Sequence, residues 1–157
     1  MPGAALEQWS QLNDVNADTI KSDVEKSGLP RPLTDLKNRV LAFSFAGLRS
    51  AVDRTITDKM SEEEKKSLGR AAQVISFQHV ADKVVQGMEA SGNLDEKGGT
   101  LVVSGGVACN LAFRKMYVLS LNRVNDSLRA ALDNSGLDGY ELVFPPNEFC
   151  SVGACFY

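Results

Sequence analysis

Histidine is the scarcest chemistry-bearing side chain here: one, His79, among 157 residues. Any catalytic triad or metal site that needs a second imidazole is therefore excluded within this sequence. The three cysteines, Cys109, Cys150 and Cys155, cannot all pair with one another, and none sits in a CxxC. Cys150 and Cys155 also lack the partner histidines of a structural zinc site, so all three read as buried reduced thiols of an intracellular protein. Five prolines and 13 glycines are too few for a collagenous or low-complexity chain. No apolar run approaches the roughly 18 residues that would span a bilayer. The first residues, MPGAALEQWSQLNDV, match neither a secretory-signal nor a transit-peptide pattern. Positive charge is not in excess either: 17 Lys and Arg stand against 20 Asp and Glu. Autonomous nucleic-acid binding, which needs clustered cations against phosphate, has no electrostatic support.

What remains is an ordinary globular composition, 43% apolar and 24% charged. At this length it suits one domain with a real core, burying roughly two-thirds of the unfolded surface. Ala4 to about Leu12 reads as a short helix with Trp9 and Leu12 on one side. Val15, Ile20 and Val24 come next, at loose helical spacing over 13–28. The prolines at 30 and 32 make 29–35 irregular. Val40–Phe45 is β-prone, and Leu48, Ala51, Val52 and Ile56 predict a helix over 46–57. Ser61-Glu62-Glu63-Glu64 is a capping box, with acidic residues suited to the positive end of the helix it opens. In that helix Phe77, Val80, Ala81, Val84, Val85 and Met88 form one apolar stripe, read as core packing. His79 lies inside the same pattern and reads as structural or solvent-facing.

Glycine-rich segments at 91–99 and 135–139 mark loops. Between them, Thr100–Val103 reads as a strand buried on both faces, and a second long helix runs from about Ala108 to Asp133. Glu141–Phe144 reads as a further strand, ended by Pro145-Pro146. This alternation of strands with long helices predicts an α/β domain. The stretch richest in chemistry is Val103-Ser104-Gly105-Gly106-Val107-Ala108-Cys109-Asn110. Two glycines between a strand and a helix let a phosphate approach exposed backbone N–H groups at the positive helix end. The same pair can also be a plain tight turn. Asn110 could present its amide to a purine or ribose, or simply start the helix.

Four segments, Pro30-Arg31-Pro32-Leu33-Thr34-Asp35, Phe43-Ser44-Phe45-Ala46-Gly47-Leu48-Arg49, Val103–Asn110 and Phe144-Pro145-Pro146-Asn147-Glu148-Phe149-Cys150, occur in that order. They resemble the PRPxTD, FSFSGLK, SGGVxxN and FPPPxFCTDN motifs of the family that makes threonylcarbamoyladenosine in tRNA. The likeness is greatest to the mitochondrial, fungal-type branch. The resemblance implies the C-terminal lobe of an actin-like ATPase fold of the acetate kinase, sugar kinase and heat-shock chaperone type, a mixed sheet packed with long helices. It implies a helical, Pro-containing entry segment over 1–38, the lobe over 39–151 and a divergent tail over 152–157. It further implies transfer of a threonylcarbamoyl group from threonylcarbamoyl-AMP to N6 of the adenosine beside the anticodon. Asn110 then contacts the nucleotide, threonylcarbamoyl-AMP or ATP/AMP, and Ser104, Gly105 and Gly106 line its pocket.

Two departures accompany the match. The lobe carrying the family's HxxxH helix is not part of this sequence, and Val152 stands where the metal-binding aspartate of CTDN falls. Valine offers a cation no lone pair, so the divalent metal of the family has no ligands here and catalytic residues are not assigned. The chain is expected to be a fragment, inactive alone. The resemblance implies tRNA as a partner, a homodimer or complex with a full-length homologue, no membrane, and a mitochondrial or otherwise cytoplasmic location. A non-catalytic interaction module and a sugar-kinase-like use of the Ser104–Gly106 loop are the alternatives.

Overall fold

A computed structural model describes residues 2–33, 40–90, 99–132 and 140–146. The loops expected at 91–98 and 135–139, Thr34-Asp35, Asn147–Cys150, Cys155, Val152 and the expected boundaries near 38 and 151 lie outside the described residues. The chain divides into two compact units, Met1–Lys83 and Val84–Tyr157.

The first unit is helical. Helix α1 (Pro2–Ser10) opens on a proline, tolerated where the first N–H has no intrahelical partner. Helix α2 (Ala17–Ser27) is capped by Asn16, whose Oδ1 accepts the Thr19 N–H at 2.8 Å, and stops at Gly28 with φ 61°. Helix α3 (Ala46–Thr55) and helix α4 (Glu62–Ala90) complete the set. The capping box forms as its sequence requires: Glu64 accepts from the Ser61 N–H at 2.7 Å, and the Glu64 N–H donates to Ser61 Oγ at 3.3 Å. Those bonds from Ser61 backbone and side chain hold the Glu64 carboxyl below its ordinary range.

Leu29, Leu48, Leu68, Ala71 and Ile75 form the core, with Val24, Ala51, Val52, Met60 and Ala72 packed against it. On α4 the buried positions run Leu68, Arg70, Ala71, Gln73, Ile75, Phe77, His79 and Ala81, which go round the helix. Of the expected stripe only Phe77 and Ala81 are buried, while Val80, Val84, Val85 and Met88 are half-buried; burial is densest over 68–81, where even polar side chains are enclosed.

The enclosed polar groups satisfy one another. Arg70, 2% exposed, donates from Nε to Asp23 Oδ2 at 2.6 Å, from Nη2 to Glu63 Oε1 at 2.8 Å and from Nη1 to the Ser10 carbonyl at 3.1 Å. Ser67 Oγ donates to the other Asp23 oxygen at 2.6 Å, and Gln73 Nε2 to Ser10 Oγ at 2.9 Å. Burial works against the Arg70 charge, but the bonds to Asp23 and Glu63 outweigh it and its pKa is raised. The network ties α1 and α2 to α4.

Residues 40–45 are not a strand. Two of their backbone groups are met by side chains: Lys83 Nζ donates to the Val40 carbonyl at 2.8 Å, and the Ser44 N–H donates to His79 Nε2 at 3.3 Å. Among the described residues no strand stands beside this β-prone run, so it has no ladder to join.

In the second unit, strand β1 (Gly99–Val102) pairs in parallel with strand β2 (Tyr140–Val143), Val102 opposite Val143. Between them lie a 3₁₀ turn (Gly106–Cys109) and helix α5 (Leu111–Leu132), the crossover a parallel pair requires. Phe113, Tyr117 and Leu121 are the buried face of α5. The described sheet is thus a parallel pair and not a mixed sheet. Nor is β1 covered on both faces, since Val102 is 59% exposed. Burial of a parallel strand on both sides needs a layer on each, and two strands with one crossover helix supply fewer.

Candidate functional site

The two parallel strands end side by side, and the Val103 N–H donates to the Val143 carbonyl at 3.0 Å, one step past the paired register. The chain therefore leaves both strands from the same edge, as Ser104–Asn110 after β1 and Phe144–Pro146 after β2. In open α/β sheets that edge, beyond the carboxyl ends of the strands, is where ligands bind.

The turn after β1 is built around Gly105, whose φ of 99° and ψ of 172° lie where only glycine rests easily. No atom stands within 4 Å of where its Cβ would be, so the backbone angle alone demands glycine. Ser104 and Gly105 are exposed, and Gly106 begins the 3₁₀ turn. The Gly105 carbonyl accepts the Ala108 N–H at 3.0 Å. Among the described residues the amides of Gly105 and Gly106 have no backbone carbonyl partner. An edge of this kind can meet an anion.

Asn110, 8% exposed, is the N-cap of α5, its Oδ1 accepting the Phe113 N–H at 2.9 Å. The helix therefore starts at Leu111, not at Ala108. Capping uses the oxygen of the amide and leaves Nδ2, a donor, for something else. Starting the helix and offering a donor are compatible functions of one side chain.

Arg114 was not legible in the sequence. Its Nε donates to the Ala108 carbonyl, its Nη2 to the Pro145 carbonyl at 3.4 Å, and its guanidinium carbon stands 4.9 Å from the Phe144 ring centroid. It joins the segment after β1 to the segment after β2. No local pattern announces such a residue, because Pro145 is 31 positions away along the chain. Tyr117 packs against Phe113 with ring centroids 4.5 Å apart and the planes tilted by 40°, and burial pushes its hydroxyl pKa up to about 12. It is no acid or base near neutral pH.

His79 belongs to the first unit. It is 5% exposed, and the rings of Phe43 and Phe45 meet it edge-on at 6.1 and 5.5 Å. Accepting at Nε2 requires the neutral ring. Burial, then the Lys83 charge, push its pKa below the ordinary value, with Asp82 opposing. A hollow of about 790 Å³ in the same unit has Asp23, Ser67 and Arg70 on its wall, already committed to one another. Among the described residues no three His, Cys, Asp or Glu side chains come together to hold a metal, and the one imidazole is taken up by Ser44. These residues do not fit the divalent ion that the motifs imply.

Residues 4–154 match a family model described as tRNA N6-adenosine threonylcarbamoyltransferase. The protein of that name from Francisella philomiragia is 34% identical over 134 residues, 83% of this chain and 33% of its own length. Its counterpart from Francisella tularensis subsp. novicida is 32% identical over 131 residues, with the same coverage. That from Anaplasma marginale is 27% identical over 140 residues, 88% of this chain and 36% of its own. The chain thus spans about a third of the length of these relatives. With an α/β structure over the described residues, and a match that runs through both segments at the strand ends, the chain belongs to the tRNA N6-adenosine threonylcarbamoyltransferase family.

Proposed function

We propose that this chain supplies the C-terminal part of a tRNA threonylcarbamoyladenosine synthase and carries half of its nucleotide site. The observation that carries the proposal is the Gly105 turn with the Asn110 cap, set at the carboxyl ends of two adjacent parallel strands. In this reading the Gly105 and Gly106 amides face the phosphate of threonylcarbamoyl-AMP, or of ATP or AMP. Asn110 Nδ2 donates to the nucleoside, and Ser104 lines the approach. The amine N6 of the adenosine next to the anticodon then attacks the carbamoyl carbon, loses its proton, and AMP departs. Half a cleft does not fix two reactants in line, so the chain acts only when the rest of the site is provided. Transfer RNA is the second substrate, and the mitochondrion is the compartment that the fungal-type likeness favours.

Cells lacking their own transferase test this directly. The chain expressed alone leaves modified adenosine absent, and co-expression with the missing region of a full-length relative restores it. Restoration by the chain alone overturns the half-site. So does failure of the purified chain to bind AMP.

A second reading has its own support. Val102, Val107, Leu111 and Leu119 are each more than half exposed, more large apolar surface than a small unit usually leaves bare. A non-catalytic module that pairs with a full-length homologue would cover it. Sedimentation of the chain mixed with that homologue decides: no complex removes this reading.

A further inference from the structure

We infer that Arg114 is a positioning residue: it holds the glycine turn after β1 at a set distance from the Phe144–Pro145 segment after β2. This role deepens the proposed nucleotide site and rests on that proposal for the identity of the ligand. The two segments need such a link. Pro145 and Pro146 bring no N–H to a strand ladder, so pairing of β2 with β1 stops at the Val103–Val143 bond. Among the described residues no further backbone bond of that ladder joins the two segments.

Arg114 closes the gap from α5. It sits one turn inside the helix, its own N–H donating to the Asn110 carbonyl at 3.1 Å, so its stem is fixed by the same cap that Asn110 makes. From there the planar fork reaches the Ala108 carbonyl on one side and the Pro145 carbonyl on the other. The Ala108 carbonyl lies at the junction between the 3₁₀ turn and α5, where regular helix bonding is interrupted. A charged donor to a neutral carbonyl is a stronger bond than a neutral one, and the Phe144 face adds a cation–π contact. Lysine cannot reproduce this. Its three donors sit on a single nitrogen with no plane, so it cannot span both carbonyls and face the ring at once.

Arg114 touches neither Gly105 nor Gly106 in these bonds. Its influence on a ligand is therefore indirect, through the spacing of two backbone segments, and that spacing decides whether amides and Asn110 Nδ2 reach one nucleotide together.

The test is amide hydrogen exchange on the ligand-free full chain, comparing wild type with Arg114→Lys, Arg114→Gln and, as a charge control on the exposed side of α5, Lys115→Gln. Removal of the aromatic platform by Phe144→Leu gives an independent arm. In the Arg114 and Phe144 variants the hydrogen-bonded amides of Ala108 and Asn110 exchange about tenfold faster or more, as loss of a local tie lowers local opening energy. Amides of 68–75 in α4 are unchanged, and Lys115→Gln behaves as wild type. Unchanged exchange at Ala108 and Asn110 in Arg114→Lys overturns the inference. A uniform rise along the whole chain also overturns it, since Arg114 would then be a general stabiliser. AMP titration separates the two layers. If wild type binds AMP, Arg114→Lys weakens binding about tenfold, the scale expected for a small misplacement of contact groups. If wild type binds none, the nucleotide reading falls and exchange alone decides for or against Arg114.

Discussion

Asp23 and Arg70 show how much a single buried charge depends on its partner. Arg70 is enclosed and spends three donors on Asp23, Glu63 and the Ser10 carbonyl. Asp23→Ala leaves that guanidinium facing a wall with its nearest counter-charge gone. It should lower unfolding stability by about 3 kcal/mol, the usual cost of breaking one side of a buried pair. Urea unfolding monitored by Trp9 fluorescence measures it, and a loss below about 1 kcal/mol, typical of surface pairs, means the network is solvated. His79 gives a pH signature. Its folded pKa is depressed, so the neutral ring suits the fold and the unfolded chain binds the extra proton first. Stability is therefore undiminished above the ordinary histidine value and declines as pH falls below about 6.5, before the carboxylates titrate. In His79→Gln the decline that sets in below about pH 6.5 should flatten; an equal slope in both proteins assigns the loss to other groups.

At the scale of elements, the start of α5 carries both a structural and a chemical assignment, and one substitution separates them. Asn110→Ser keeps a capping oxygen of equal rank but removes the amide donor. Thermal midpoint should stay within a degree or two while AMP affinity falls, whereas Asn110→Ala should lose about 1 kcal/mol of stability as well. Equal AMP affinity in wild type and Asn110→Ser takes the nucleotide contact away from this residue. The turn before it is decided by backbone. Gly105→Ala places a Cβ at φ 99°, where space is ample but the conformation is not. The expected cost is about 1–3 kcal/mol, read as a shifted denaturant midpoint with the slope unchanged; no shift would mean the turn simply relaxes.

For the whole molecule, the two units differ in how their backbone is protected. Leu68–Ile75 of α4 lie among the helical core and the polar network, while β1 has only one strand beside it among the described residues and an exposed face. Hydrogen exchange should rank α4 amides slowest and β1 amides far faster, since a two-stranded sheet is marginal by itself. Equal protection in β1 and α4 would show that the second unit is stabilised by something beyond its described contacts.

Local chemistry written into consecutive residues was legible from the sequence. Ser61 with Glu64, the glycine turn at 104–106 and the long helices are settled within a few residues, because caps, φ preferences and helix bonds act over one turn. The motif order similarly carried the family. What the sequence misjudged had a partner far away. Val40–Phe45 has strand-forming residues, yet whether a strand exists depends on a neighbour, and here Lys83 and His79 meet the Val40 carbonyl and the Ser44 N–H. The burial of β1 depends on layers above and below it. Arg70 looks like an ordinary helical surface residue until α1 and α2 enclose it, and Arg114 gains its meaning only when two strands bring Ala108 and Pro145 within reach of one side chain. The single histidine, scarce enough to exclude a triad, proved to be a neutral acceptor for a backbone amide. Its role was set by Phe43 and Phe45, far earlier in the chain, whose proximity only folding creates.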